Sequence, residues 1–321
     1  MNRILVIRGG AIGDFVLTLP AIKLLRDAYP HARLEILGYQ HIAALAERRF
    51  YAEAIRSIEY GALARFFAKG AELPRDLVGY FSSFDLVVSY LFDPDNIFEQ
   101  NLTRCGVETF LACSPKIHEG EHATVQLARP LEQLGLILAD RSATLYPSAA
   151  DREFACKFYP TKRTIALHPG SGSESKNWPL KNWTALVETV LRARAGATLL
   201  IVGGEADGKQ LASLRANFSE RVCFAENLDL PRLAAVLQRT ATFLGHDSGI
   251  SHIAAAVGTP ALLLFGPSDP AVWAPVNGNV RVLRVTSANL ADLPLNEVTA
   301  ALDAFLSEHA RTTRTEEELK S

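Results

Sequence analysis

From Gly245 to Gly258 the chain reads GHDSGISHIAAAVG, fed by the apolar run Thr242–Leu244. A helix start needs one capping group, and Asp247 or Ser248 alone would serve. The surplus of polar groups points to a ligand. If the helix begins at Ser248 or Gly249, its free N–H groups and its dipole form an anion site, and Gly249 lets a phosphate oxygen approach the backbone. His252 stands four residues after Ser248 on the same helix face. It can donate to a phosphate oxygen or to a leaving group. Asp247 suits sugar hydroxyls better than phosphate. The set fits a sugar diphosphate, although a capping Asp–Ser pair with a core histidine is the plainer alternative.

Two further loops carry the same chemistry. His168–Pro179 reads HPGSGSESKNWP after a short apolar run. The backbone N–H groups there, with the hydroxyls of Ser171 and Ser173, can form an anion-binding concavity, and Lys176 adds a point charge suited to a diphosphate. A solvated surface loop is the competing reading, against which Trp178-Pro179 argues for packing. Leu200–Gly208 reads LIVGGEADG, and Glu205 at that strand end can accept hydrogen bonds from ribose hydroxyls or simply open a helix. Taken together, three polar strand ends in one half of the chain favour the ligand.

Near the N-terminus, Arg8–Pro20 is RGGAIGDFVLTLP. Dinucleotide spacing needs glycines at 9, 11 and 14, but Ala11 and Asp14 occupy the last two; no Lys follows Gly13, so a P-loop fails as well. Gly9, Gly10 and Gly13 give a tight turn with close backbone approach. Asp14 then stands at a helix start. It is either a capping carboxylate or a general base facing a hydroxyl.

The elements that must position these residues alternate from end to end. Ile4–Ile7, Leu34–Leu37, Asp85–Ser89, Thr164–Leu167, Ala197–Val202, Arg221–Phe224, Thr242–Leu244 and Ala261–Phe265 read as strands. Helical patterns lie between them, for example through Leu17, Leu19, Ile22 and Leu25, around Thr124–Leu134, from Leu180 and from about Leu295. This predicts an α/β protein with parallel sheets. The polar, strandless stretch from Leu138 to Lys162 marks a boundary between two doubly wound domains, 1–155 and 156–321. The last segment, ARTTRTEEELKS, reads as a charged, solvated tail.

The 321 residues carry a net charge of −2, with 48% hydrophobic and 21% charged residues, which speaks against general nucleic-acid binding and against disorder. No run of about eighteen apolar residues exists to span a bilayer, and MNRILVIRGG is too short in its apolar part for a signal peptide. The four cysteines form no C-x-x-C pair, so a reducing, cytoplasmic setting is expected. Asp93-Pro94-Asp95 has the letters of a metal motif, but its place in the first domain reads as a turn. Arg48, Arg49, Arg56, Arg65, Lys69 and Arg75 can meet an anionic acceptor or be solvated faces. Phe66-Phe67 can touch a membrane surface or pack in a core.

RGGAIGDFVLTLPAIKLLRDAYPHARLEIL, HPGSGSESKNWPLKNW and GHDSGISHIAAAVGTPALLLFGPSDPAVWAP together resemble the family 9 glycosyltransferases, the ADP-heptose:lipopolysaccharide heptosyltransferases and their relatives. The resemblance runs over nearly the whole chain in order. It implies a GT-B fold, with two Rossmann-like domains facing a central cleft, the first binding acceptor and the second nucleotide sugar. It implies inverting transfer of a heptose from an ADP-activated donor to the lipopolysaccharide inner core, at the cytoplasmic face of the inner membrane. By the same resemblance Asp14 is the base, Lys176 binds the diphosphate, Glu205 the ribose, and Asp247, Ser248, Gly249 and His252 the donor. Ser171 and Ser173 lie near its phosphates. The ADP-sugar is then a substrate, with no cofactor and no metal, and the partner is a lipid-linked saccharide. Other expectations considered are a family 9 transferase using another NDP-sugar, an NDP-sugar 2-epimerase of the same shape, an NAD(P) oxidoreductase and an inert relative.

Overall fold

The computed structural model describes residues 1–159, 164–194, 196–218, 220–287 and 289–318, with side chains up to 309 in the last helix. The end of the expected boundary stretch, 160–162, and the side chains of the charged tail lie outside the described residues. Two compact units divide the chain, Met1–Ser148 and Ala149–Ser321.

The first unit runs β1 (Arg3–Arg8), α1 (Ile12–Ala28), β2 (Arg33–Gly38), α2 (Gln40–Ala43), β3 (Ala54–Ser57), α3 (Arg75–Phe81), β4 (Leu86–Ser89), α4 (Ile97–Arg104), β5 (Phe110–Ala112) and α5 (Ala123–Ala128). Its five strands are parallel in the order β3-β2-β1-β4-β5. Central strands buried on both faces must be apolar throughout, and Ile4–Ile7 and Leu86–Val88 are almost wholly buried. The chain reverses its strand order between β1 and β4. Open α/β sheets bind ligands beyond the carboxyl ends of the strands at such a switch point.

The second unit runs α6 (Ala149–Phe158), β6 (Thr164–Leu167), α7 (Leu180–Ala193), β7 (Thr198–Gly203), α8 (Gly208–Phe218), β8 (Val222–Glu226), α9 (Leu230–Gln238), β9 (Thr242–His246), α10 (Gly249–Ala256), β10 (Ala261–Phe265), α11 (Pro270–Trp273), β11 (Val280–Arg284) and α12 (Leu295–Glu318). Six parallel strands stand in the order β11-β10-β9-β6-β7-β8, the doubly wound arrangement with its switch point between β6 and β9. A core of Trp178, Trp183, Leu186, Leu199, Leu244, Leu262 and Leu302 packs one face of this sheet.

The expected strands are all present, with ends that move by a residue or two. Three strands had no sequence expectation: β3, β5 and β11. Each is an outermost strand, short or half-exposed, so it lacks the continuous apolar run of a central strand. The helical pattern of Thr124–Leu134 becomes α5 followed by a 3-10 turn over Arg129–Leu134, which has Pro130 in its first positions. The polar boundary stretch contains α6, and the division falls ahead of that helix rather than at 155/156. α6 packs on α9: the Arg232 guanidinium lies 4.8 Å above the Phe154 ring, and an Arg239 N–H reaches Cys156 Sγ at 3.0 Å.

Candidate functional site

The loops after β6 and β9 flank the switch point of the second unit, and one histidine ties them together. His246, at the end of β9, is fully buried. Its Nε2 accepts the Trp178 N–H at 2.9 Å, and its Nδ1 lies 3.2 Å from the Gly170 carbonyl. One nitrogen must therefore accept and the other donate, which only a neutral imidazole does. Burial pushes its pKa down from 6.5 to about 3, against the opposing pull of the Gly170 carbonyl. Trp183 packs edge-on against the ring at 5.2 Å, and Trp178 Nε1 donates to the Leu293 carbonyl at 2.9 Å. The Gly/Ser loop of 168–179 is thus pinned at Gly170 and at Trp178.

A second buried chain crosses the three strand ends. Asp207 Oδ2 lies 3.3 Å from His168 Nε2 and accepts the Gly204 N–H at 2.8 Å. His168 Nδ1 in turn lies 3.3 Å from Ser248 Oγ. Burial raises the Asp207 pKa, but the His168 hydrogen bond, the His168 charge and the Gly204 N–H outweigh it, so the carboxyl stays below its ordinary value. A Cβ at Gly170 would stand 1.6 Å from Asp207 Oδ1, so no residue but glycine lets the two loops meet. Neither His168, Asp207 nor His246 was singled out in the sequence. The available signal was position: His168 directly follows a strand, and Asp207 follows Glu205 by two residues.

Ser248 is the N-cap of α10; its Oγ accepts the Ser251 N–H at 3.4 Å. Its hydroxyl is therefore held inside the fold. What the helix start offers a ligand is backbone N–H groups, beginning with Gly249. Lys176 and Asp247 are brought together directly, Nζ to Oδ2 at 2.6 Å, with Asp247 9% and Lys176 35% exposed. The cation expected for phosphate and the carboxylate expected for sugar hydroxyls are here one ion pair. His252 is buried in α10. Glu205 opens a 3-10 turn after β7 and is exposed. Ser171 Oγ is 2.7 Å from both the Ser173 carbonyl and Asn177 Oδ1, and Ser173 Oγ is 3.0 Å from Ser175 Oγ, so both hydroxyls fold their own loop.

In the first unit the loop after β1 stands at the switch point between β1 and β4. Gly9 approaches Ile58 and Leu91, each 3.9 Å from where its Cβ would be. Asp14 lies in the first turn of α1, Oδ2 accepting the Ala11 N–H at 2.9 Å, with 35% of the side chain exposed. Gly10 has φ +95°, and a Cβ there would stand 2.7 Å from Asp14 Oδ2. The sequence reading of Asp14 as cap or base thus meets a residue that caps and still shows solvent a third of its side chain. Arg8, which the sequence does not mark, lies buried beneath it.

Several other expected residues have local roles. Asp93 Oδ2 accepts the Glu99 N–H at 3.1 Å, at the start of α4. Arg49 donates to the Ala44 and Glu47 carbonyls, and the Arg56 guanidinium stacks 4.0 Å above Tyr80. Phe66 is buried in the core, while Phe67 is 44% exposed and stacks on Phe98. Among the described residues, no cluster of three His, Cys, Asp or Glu is placed to hold a metal ion, and no helix is long and apolar enough to cross a membrane.

The chain is 23% identical to lipopolysaccharide heptosyltransferase 3 of Escherichia coli over 332 residues, covering 92% of each. Its fold is similar to that of a family 9 glycosyltransferase from Veillonella parvula, at TM-score 0.79 and 19% identity over 96% of this chain and 97% of that one. It is similar also to the E. coli heptosyltransferase WaaC with ADP, at TM-score 0.72 and 19% identity over 94% and 99%. The fold is α/β of the GT-B class. Residues 102–299 match glycosyltransferase family 9 (heptosyltransferase), and the chain belongs to that family.

Proposed function

We propose that this glycosyltransferase moves a heptose from ADP-heptose to a lipid-linked saccharide of the lipopolysaccharide inner core, with inversion and without a metal ion. The observation that carries the reading is the Lys176–Asp247 pair beside the N-terminus of α10, at the switch point of the second unit. A cation, the N–H groups of a helix start and a carboxylate at one strand end suit a diphosphate bearing a sugar. The names of the relatives, heptosyltransferases of lipopolysaccharide and one held with ADP, supply the sugar, the nucleotide and the acceptor class.

In this mechanism Asp14 takes the proton of the acceptor hydroxyl as its oxygen bonds to the anomeric carbon. The bond from that carbon to the diphosphate oxygen breaks on the opposite side, and ADP leaves with the electron pair. Lys176, the Gly249 N–H and His252 stabilise the charge gathering on the departing diphosphate, the part a metal plays elsewhere. Asp247 accepts from sugar hydroxyls while Lys176 neutralises it, and Glu205 accepts from the ribose. The ADP-sugar is a substrate and no cofactor is required. The reaction takes place at the cytoplasmic face of the inner membrane, where the acceptor lipid lies.

The test is the anomeric configuration of the first product formed from ADP-heptose of known configuration, read by NMR in the presence of a chelator. Inversion with undiminished turnover is the expected result. Retention, or loss of turnover restored by a divalent cation, overturns the mechanism.

A further inference from the structure

Arg8 ends β1 and is 3% exposed, a guanidinium taken out of water directly below the helix start that carries Asp14. Its Nε donates to Thr18 Oγ1 at 2.9 Å and its Nη2 to the Asp14 carbonyl at 3.2 Å. Thr18 Oγ1 donates to that same carbonyl at 2.7 Å. Nη2 also stands 3.8 Å from Asp14 Oδ1. The arginine is therefore fixed at two points and cannot follow a moving carboxylate; the carboxylate is placed against a stationary charge.

Burying a cation without a counter-charge is costly, and an apolar residue of similar volume would fill the space as stably. Its titratable neighbours are Asp14 on α1, Tyr90 just past β4 and Cys113 just past β5. Burial raises the Tyr90 phenol well above its ordinary value and pushes the Cys113 thiol up to about 12, so both stay protonated. The Tyr90 hydroxyl donates to the Leu127 carbonyl at 2.9 Å, and its ring faces the guanidinium at 5.6 Å. Asp14 supplies the negative charge of this cluster. Arg8 and Asp14 form one unit, a half-exposed carboxylate backed by a buried, immobile cation.

We infer that Arg8 is the positioning residue of the transfer reaction, fixing the orientation of Asp14 when the polyanionic donor and acceptor are bound. The inference rests on Asp14 being the base. Both substrates bring negative charge that repels the carboxylate; a guanidinium fixed 3.8 Å behind Oδ1 holds it in place without touching either substrate. A surface lysine would not serve, since its charge would be screened and mobile.

The experiment is kcat and KM for the acceptor and for ADP-heptose, measured separately for the wild type, Arg8→Gln, Arg8→Met, Arg8→Lys and Asp14→Asn. In Arg8→Met kcat is expected to fall by about tenfold or more while both KM values stay within about twofold of the wild type, because the contact acts on the base and not on either substrate. Arg8→Lys, which keeps the charge, is expected to hold kcat within about threefold of the wild type. Arg8→Gln removes the charge and keeps a side-chain amide donor, and decides the matter if Arg8→Met does not fold. A rise in KM that accounts for the whole loss, or an Arg8→Lys variant as slow as Arg8→Met, reduces Arg8 to a strut and overturns the inference. Asp14→Asn separates the two levels: retained turnover there overturns the base assignment, whereas lost turnover there with kcat unchanged in the Arg8 variants overturns only the part assigned to Arg8.

Discussion

Removing Lys176 and Asp247 together is expected to harm the protein less than the sum of removing each alone. Asp247 is 9% exposed and its Oδ2 meets Lys176 Nζ at 2.6 Å. Breaking a fully buried ion pair by deleting one partner costs about 3–5 kcal/mol, and an exposed pair contributes about 0–1. With the lysine 35% exposed, water reaches one side of this pair, so Lys176→Met should cost about 2 kcal/mol, between those limits. For a unit of this size that is a fall in Tm of about 4–8 °C. Asp247→Asn leaves a neutral amide beside a lysine that can swing into water, and should cost about 1 kcal/mol or less. The double variant has no stranded charge. Its loss should fall short of the sum of the two single losses by about 1 kcal/mol, beyond the additivity error of such cycles. The assay is thermal denaturation of the four proteins at pH 7.5, at low and high salt. Additive losses, or a double variant less stable than the sum of the singles, would refute the idea that the pair is coupled and that a bound diphosphate meets an already neutralised Asp247.

Asp14→Asn keeps the shape of the helix start and removes the base, so turnover should fall by about a hundredfold or more with donor binding unchanged; a smaller loss in a well-folded variant contradicts the assignment. His246 is held neutral in the fold, so the unfolded chain binds a proton there that the native state does not. Stability from this group is whole above its ordinary pKa of 6.5 and is lost as pH falls from there toward about 3, at up to about 1.4 kcal/mol per unit. Chemical denaturation at pH 6.5 and pH 5 should show a shallower loss in His246→Gln than in the wild type, and parallel losses would count against a buried neutral imidazole. Gly170→Ala places a Cβ 1.6 Å from Asp207 Oδ1; Asp207 must leave His168 and Gly204, and a Tm within about 2 °C of the wild type would show that the contact yields easily.

Central strands were legible because burial on both faces writes them as unbroken apolar runs: Ile4–Ile7, Thr164–Leu167 and Ala261–Phe265 all fall in strands. Strands β3, β5 and β11 were not, since each is short or half-exposed and lacks an unbroken buried run. α6 hid in a polar stretch because its apolar face is narrow, with Asp151 and Ala155 its buried residues. At the site, the spacing in GHDSGISH gave the start of α10 and its cap, for capping is a local event between neighbours. The supports of the site were illegible for the opposite reason. Asp207, His168 and Ser248 come from three separate strand ends, and His246 reaches back to Gly170 and Trp178. Such contacts exist only once the sheet order brings non-consecutive strands together. Arg8 is illegible in the sequence because a cation at a strand end reads as a surface residue until its burial is seen.

The most direct test is calorimetric titration of the unmodified protein with ADP, UDP and GDP, repeated with ADP on Lys176→Met. Saturable ADP binding, tighter than for UDP or GDP and weakened about tenfold or more by Lys176→Met, is the expected result. An absence of ADP binding, or ADP binding untouched by the loss of Lys176, would contradict a donor site at the ends of β6 and β9.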